Sequence, residues 1–490
     1  MKHKMLFEDG IIIHKRKGGC CWILSTAEEN LKRKENRAEK RDFLPPGVDL
    51  PRRRGHTQDK EPRFLQDKKG EMPVENKGNA RYLRCDRCGG EFDLRQPLTL
   101  CPRCGGLMEV VYDMEGLKCS AHLFREFSRD SIWRWRAFFP AVEDKNIVTL
   151  GEGGTPLVKS RHLGPAMGVE NLYFKNDTLM PTGSFKDRGF SLAVSYACEL
   201  GVKRGLTYSS GNAGASFAAY SARAGFPGLV LVEYLASPTK QAMILLYGAN
   251  SAILHFRDFE QITKLMERAS GEMGCYTFVN FINPIRHEAM KTYAYEIYTE
   301  LGRAPDWSFH GVGTGGGLYG AWKGYGELAE LGVSDRIPHM VSVQPESVAW
   351  VKEAMDTGAA EGKAFGEVGH TIAQSIGGNS PLQGGRRLLR CLRESGGLAL
   401  GVSDDEIREA MADLGREGIA AEPSSAATVA AFKQAVKAGR IRSDETVVCT
   451  ITGTAFKQPK VVEQIAAAPE YTVEAEVEDL EALLQKLGMM

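Results

Sequence analysis

From about Ile147 onward the chain repeats one pattern: a short run of strand-forming residues leads into a segment with helical spacing. "RGLTYSS" runs into "ASFAAYSARAG", "GLVLVEYL" into "PTKQAMILLYG", and "SAILHF" into "DFEQITKLMERASGEMG". Further on, "DWSFHGVG" runs into "LYGAWKGYGELAELG" and "HMVSVQP" into "SVAWVKEAMDTG". Parallel strands cannot be joined by a tight hairpin, so each needs a crossover, and a crossover helix covers one face of the sheet. The pattern therefore predicts parallel sheets covered on both faces. No internal repeat of fixed period is present. At 490 residues there is room for roughly two to four domains and a large core.

Four regions differ in texture. Residues 1–79 are rich in charge and proline and poor in aliphatics, which predicts an extension unable to bury enough to order itself, with a short helix at most near 27–41. Residues 80–112 form a cysteine module, 113–470 the α/β body, and 471–490 an acidic amphipathic terminal helix. The net charge of zero is unevenly spread, because residues 1–80 hold 19 Lys+Arg against 13 Asp+Glu. A basic tail without interleaved aromatics or a reader motif argues against nucleic acid and for a solvated segment. No apolar run reaches the roughly 18–20 residues needed to cross a bilayer. "GGCCWIL" is too short for a secretory signal. Eleven cysteines fit a reducing cytoplasm better than a disulfide framework.

Cys85, Cys88, Cys101 and Cys104 are spaced C-x2-C-x12-C-x2-C, each pair followed by glycine. Each knuckle aims two thiolates at one point, and two knuckles supply the four soft ligands of a tetrahedral, closed, structural zinc site. A redox pair or unrelated cysteines account less well for two knuckles at ribbon spacing.

"PTGSFKDRG" (Pro181–Gly189) places one lysine, Lys186, between a Gly-Ser-Phe run and an Asp-Arg pair. A lysine held in place with a lowered pKa is an aldehyde-binding nucleophile. Three other stretches supply what a pyridoxal phosphate site needs. "SSGNAGAS" lies between a strand and a helix. Its turn at Ser210 and Gly211 offers N–H groups to a substrate carboxylate, and Asn212 offers its amide to a ring oxygen. "GVGTGGG" has five glycines in seven positions, so its backbone can close around a phosphate. "TITGT" places hydroxyls at the end of the strand "ETVVC". A dinucleotide fingerprint in the glycine run is disfavoured, because no acidic residue ends a strand about twenty positions on.

With these landmarks the chain resembles fold type II pyridoxal phosphate enzymes of the tryptophan synthase β-like type, and within them the threonine synthase family. "LGEGGTPL", "PTGSFKDRG", "SSGNAGAS", "NFINPIRHEAMKT", "EGIAAEPSSAA" and "VVCTITGTAFKQP" carry the resemblance from about Tyr82 to Lys460. It implies two parallel-sheet α/β domains behind a small zinc ribbon, and Lys186 as the lysine that bonds the cofactor's aldehyde and later moves protons at the substrate. It also implies Asn212 at the cofactor's 3′ oxygen, Gly313, Thr314, Gly315, Gly316 and Gly317 at its phosphate, and Thr452 at the pyridine nitrogen. Ser210, Gly211, Asn280 and Arg286 would hold the substrate. Asp187 and Arg188 read as a structural ion pair.

The implied reaction is a lyase step of amino-acid biosynthesis, from O-phosphohomoserine and water to threonine and phosphate, in a cytoplasmic homodimer. Where the family typically reads "STGNTSAS", "NSxNPxR" and "GNAGN", this chain has Ala213 and Gly214, Phe281 and Thr314. Those changes fall on groups expected near the substrate phosphate, where Arg286 can still grip an anion bidentately. They keep open β-replacement as in cysteate synthases and elimination as in serine/threonine ammonia-lyases. A non-catalytic binding protein, touching nucleic acid or a partner through the ribbon and basic tail, is the alternative of another class.

Overall fold

The computed structural model describes residues 78–490, apart from 210, 234–237, 256–258, 281, 366–370 and 467–470, together with two strands nearer the start. The chain separates into two units, residues 1–72 and 73–490. In the first, Ile11–Lys15 pairs antiparallel with Trp22–Thr26, Ile11 lying opposite Thr26. Sequence reasoning placed these strands in an extension without order, although both are rich in the β-branched and aromatic residues that favour strands. The helix expected near 27–41 lies outside the described residues.

The second unit contains three sheets. The larger parallel sheet has the strand order Leu398–Val402, His339–Pro345, Trp307–Gly311, Val447–Ile451, Leu172–Asn176, Leu157–Lys159. Only the last, short edge strand runs antiparallel to its neighbour. The smaller sheet is parallel throughout, in the order Asn250–Leu254, Gly228–Glu233, Gly205–Tyr208, Tyr276–Thr277. Strands such as Val447–Ile451 are buried at every position, as sheets covered on both faces require. The chain lays down two strands of the larger sheet, leaves through helix Lys186–Glu199 to build the smaller one, and then returns. The pattern read from "RGLTYSS" to "SVAWVKEAMDTG" is thus the observed element order. The terminal helix is Val477–Lys486, with no buried residue.

The third sheet is antiparallel, with Ala80–Cys85 between Glu91–Phe92 and Met108–Tyr112. It does not stand apart in front of the body. Leu83, Met108 and Val110 belong to one continuous core with Phe190, Tyr293 and Leu318. Thr99 Oγ1 meets Thr277 Oγ1 at 3.0 Å, Tyr196 Oη donates to the Leu94 carbonyl, and Lys323 Nζ donates to that of Val110. Among the described residues no helix is long and apolar enough to cross a membrane.

Candidate active site and metal centre

Lys186 opens the helix Lys186–Glu199, and the turn before it is tied to the end of the larger sheet. Phe185 N–H donates to the Thr452 carbonyl at 2.8 Å, Thr454 N–H donates to that of Gly183 at 3.0 Å, and Ser184 bridges Gly453. Gly183 sits at φ +73°, and a Cβ there would lie 2.8 Å from Thr454 Cγ2, so this crossing needs a glycine. Two sequence segments 260 or more positions apart thereby become neighbours. Lys186 is half-buried, its Nζ 3.8 Å from the centroid of the Phe185 ring. Burial, reinforced by the charges of Arg286 and Lys457 and opposed by that of Glu422, pulls its pKa down to about 7.

The adjacent Asp187 and Arg188 are not paired with each other. Neighbours on a helix point about 100° apart. Asp187 accepts from Thr182 N–H, Thr182 Oγ1 and Ser216 Oγ, and burial raises its pKa to about 6. Arg188 instead meets Asp177 at 2.9 Å and also pairs with Glu296, which Lys175 contacts at 2.8 Å. Both are structural, each in its own network.

The other predicted loops converge on this turn, each at the C-terminal end of a parallel strand, where α/β sheets bind ligands. The glycine run follows strand Trp307–Gly311 and leads into helix Gly316–Glu330. A Cβ at Gly317 would stand 3.2 Å from the Phe185 ring, and one at Gly316 would stand 3.2 Å from Asn280 Oδ1. The run is therefore wedged between the lysine turn and Asn280. Asn280 Nδ2 donates to Thr314 Oγ1 at 2.5 Å, which links the two loops. Asn283 caps the following helix by accepting from the N–H groups of Ile285 and Arg286.

Asn212 begins the helix Asn212–Ala224, and its Nδ2 donates to Glu422 Oε1 at 2.8 Å. The buried Asn212 Oδ1 and Glu422 Oε2 find no hydrogen-bond partner among the described residues. Gly211 N–H, offered to an anion on sequence grounds, donates to Ser209 Oγ at 3.2 Å. Ser210 and Phe281 lie outside the described residues. Gly214 has no room for a hydroxyl, since a Cβ there would lie 2.7 Å from the Ser209 carbonyl and 2.9 Å from Ile244. Its departure from the familiar turn is thus a packing requirement. Thr452 Oγ1 lies 3.1 Å from Ser425 Oγ, which also accepts the N–H groups of Thr452 and Gly453. A cavity of about 180 Å³ opens beside Thr182, Gly211, Asn212, Thr454 and Lys457.

Arg286 is 1% exposed. Its Nη1 donates to the Phe278 carbonyl at 2.8 Å, and the guanidinium lies 4.1 Å from the centroid of the Phe190 ring. Nε and Nη2 find no acceptor among the described residues, and burial lowers its pKa to about 9. Beside it, burial and the charges of Arg387, Arg286 and Lys323 keep His287 neutral.

The chemistry of these groups fits pyridoxal phosphate. They provide a depressed lysine, a glycine cradle that side chains would fill, a hydroxyl anchored by Ser425, and unsatisfied polar atoms on Asn212, Glu422 and Arg286. Sequence reasoning missed Glu422, Ser425 and Lys457. The first two lie within "EGIAAEPSSAA", where no spacing rule separates them from an ordinary helix start.

In the third sheet, Gly89 N–H donates to the Cys85 carbonyl and Gly105 N–H to that of Cys101, both glycines at φ +68°. These matched knuckles bring the four Sγ atoms within 4.8 Å of one another, with Cys85–Cys104 at 3.5 Å and Cys88–Cys101 at 3.6 Å. A tetrahedral metal with bonds of about 2.3 Å to sulfur has sulfur–sulfur edges of about 3.8 Å. The donor set fits zinc.

Residues 148–453 match the family of pyridoxal-phosphate dependent enzymes. The chain is 36% identical over 392 residues to the threonine synthase of Methanosarcina acetivorans, covering 79% of this chain and 95% of that protein. It is 35% identical over 408 residues to that of Methanocaldococcus jannaschii, covering 82% and 99%. Among solved structures, threonine deaminase isoform 2 from Solanum lycopersicum matches with a TM-score of 0.54 at 20% identity, over 64% of this chain and 83% of that one. Serine racemase from Dictyostelium discoideum matches with a TM-score of 0.51 at 25% identity, over 61% and 92%. The expected fold type II architecture is the observed one.

Proposed function

The chain belongs to the pyridoxal-phosphate-dependent enzymes and, within them, to the threonine synthase family, and from that premise we propose that it converts O-phosphohomoserine and water to threonine and phosphate. The observation that carries this reading is the lysine turn, where an amine with a pKa of about 7 meets the glycine run, Asn212 and Thr452. When bound, pyridoxal phosphate supplies an electron sink for charge developing on the substrate's carbons.

The rest falls to the chain's own residues. Lys186 is largely uncharged above pH 7, so its Nζ lone pair is free to bond the cofactor's aldehyde. With substrate bound, Nζ would be the base that takes a proton from one substrate carbon and returns it at another. The backbone of Gly313–Gly317 would hold the cofactor's phosphate, and Asn212 would donate to the 3′ oxygen. Thr452, fixed by Ser425, would face the pyridine nitrogen. A hydroxyl there does not hold the ring protonated as a carboxylate would, which suits elimination and replacement. Arg286 takes the phosphate of the substrate on its two unsatisfied N–H groups, and Asn280 braces that subsite against Thr314. Cys85, Cys88, Cys101 and Cys104 hold a structural zinc.

The test is phosphate release and threonine formation by cofactor-loaded protein given O-phosphohomoserine. Equal amounts of both products, lost in Lys186→Ala, are expected. Turnover of serine, threonine, or phosphoserine with sulfite, without turnover of O-phosphohomoserine, would replace the substrate assignment with one of the related reactions.

A further inference from the structure

The Glu422 carboxylate lies on the opposite lobe from Asn212 in sequence, 210 positions away, yet the two side chains meet at 2.8 Å in a buried contact. Glu422 is 1% exposed. Burying a carboxylate is expensive unless it is paired or fully hydrogen-bonded, and here only Oε1 is engaged, while Oε2 finds no partner among the described residues. The neighbouring backbone makes room for it, since a Cβ at Gly453 would lie 2.6 Å from Glu422 Oε1 and 3.3 Å from Asn212 Nδ2. Its position is also fixed from behind: Glu422 N–H donates to the Gly453 carbonyl at 2.9 Å, and the helix Pro423–Lys437 begins at the next residue. An Asn amide can rotate about its last bond and present either oxygen or nitrogen to a ligand. A carboxylate only accepts, so Glu422 permits one orientation alone, with Nδ2 turned toward it and the second N–H of the same nitrogen left to donate.

We propose that Glu422 is the positioning residue that locks the Asn212 amide as a donor, so that its second N–H serves the 3′ oxygen of the cofactor. The proposal rests on the assignment of Asn212 given above. It explains why a carboxylate is kept in a site built to bind two phosphorylated molecules. Without it, Asn212 could turn its oxygen toward the cofactor's phenolic oxygen, and two acceptors would face each other.

The test compares binding of pyridoxal phosphate and of 3-deoxypyridoxal phosphate, which lacks only the oxygen in question, to the cofactor-free full chain, read by absorbance titration. A hydrogen bond to a charged oxygen makes wild type prefer the natural cofactor by about tenfold or more. In Glu422→Ala and in Asn212→Ala that preference is expected to fall to about onefold, and the double variant to lose no more than either single one. Glu422→Gln, whose amide oxygen can still accept from Asn212, is expected to recover part of the preference. A merely structural role would weaken both ligands equally and leave the ratio unchanged, so an unchanged ratio in Glu422→Ala beside a collapsed one in Asn212→Ala overturns the proposal. If wild type itself shows no preference, or Asn212→Ala keeps it, the Asn212 assignment falls and the proposal with it.

Discussion

Arg286→Met separates a residue kept for binding from one kept for stability, and its effect follows from the contacts of Arg286. Burial moves this guanidinium from its ordinary 12.5 to about 9, so the charged form is disfavoured by about 5 kcal/mol at 1.36 kcal/mol per unit. Replacing Arg286 removes that penalty. It also removes the hydrogen bond to the Phe278 carbonyl, about 1.5–3 kcal/mol, and the ring contact with Phe190, about 2 kcal/mol. The Phe278 carbonyl keeps Thr207 Oγ1 at 3.4 Å, so it is not left bare. The gains and losses cancel to within about 2 kcal/mol, and the cofactor-free variant should unfold in denaturant near the wild-type midpoint. Binding behaves differently. Two charge-assisted hydrogen bonds from Nε and Nη2 to a phosphate contribute about 3–6 kcal/mol, so kcat/KM for O-phosphohomoserine should fall by about 10²–10⁴. Competitive inhibition by inorganic phosphate should be lost in parallel. A variant that unfolds several kcal/mol more easily while keeping wild-type kcat/KM would refute the assignment and make Arg286 a core residue.

Three further outcomes follow from the same geometry. Burial disfavours the ammonium of Lys186, so below about pH 7 the amine protonates and cofactor loading of the cofactor-free protein should slow about tenfold per pH unit, with a plateau above. An inflection near pH 10 in stopped-flow absorbance would show the lysine to be unperturbed. Gly183→Ala places a side chain at φ +73° and against Thr454, which should cost about 1–3 kcal/mol in denaturant unfolding and weaken cofactor retention by shifting the Lys186 turn. Unchanged retention would mean the turn tolerates the shift. Purified protein should carry about one zinc per chain by elemental analysis, lost in Cys88→Ser. Chelation should lower the unfolding temperature, because Leu83, Met108 and Val110 share the main core. A metal-free protein with intact thiols would overturn the zinc assignment.

The chemistry of single loops was legible in the sequence because each loop is local. "PTGSFKDRG", the glycine run and the two cysteine knuckles state their backbone geometry and reactive groups within a few residues, and strand–helix alternation states the sheet type. Partnerships were not legible. That Asp187 answers to Thr182 and Ser216 while Arg188 answers to Asp177 and Glu296 depends on which way two neighbouring side chains leave one helix. The missing hydroxyl at Gly214 reads in sequence as a lost substrate contact, whereas the backbone of Ser209 fills the space a side chain would need.

The sequence alone determined the building units and pointed to Lys186 and the four clustered thiols, because propensity, periodicity and ligand spacing act over short stretches of chain. Only the tertiary structure decided that Lys186 is depressed toward neutrality, that the ribbon shares its core with the body, and that Glu422 faces Asn212 across 210 positions. Burial, field and hydrogen-bond pairing depend on distances through space, and these are set when the two sheets close on each other.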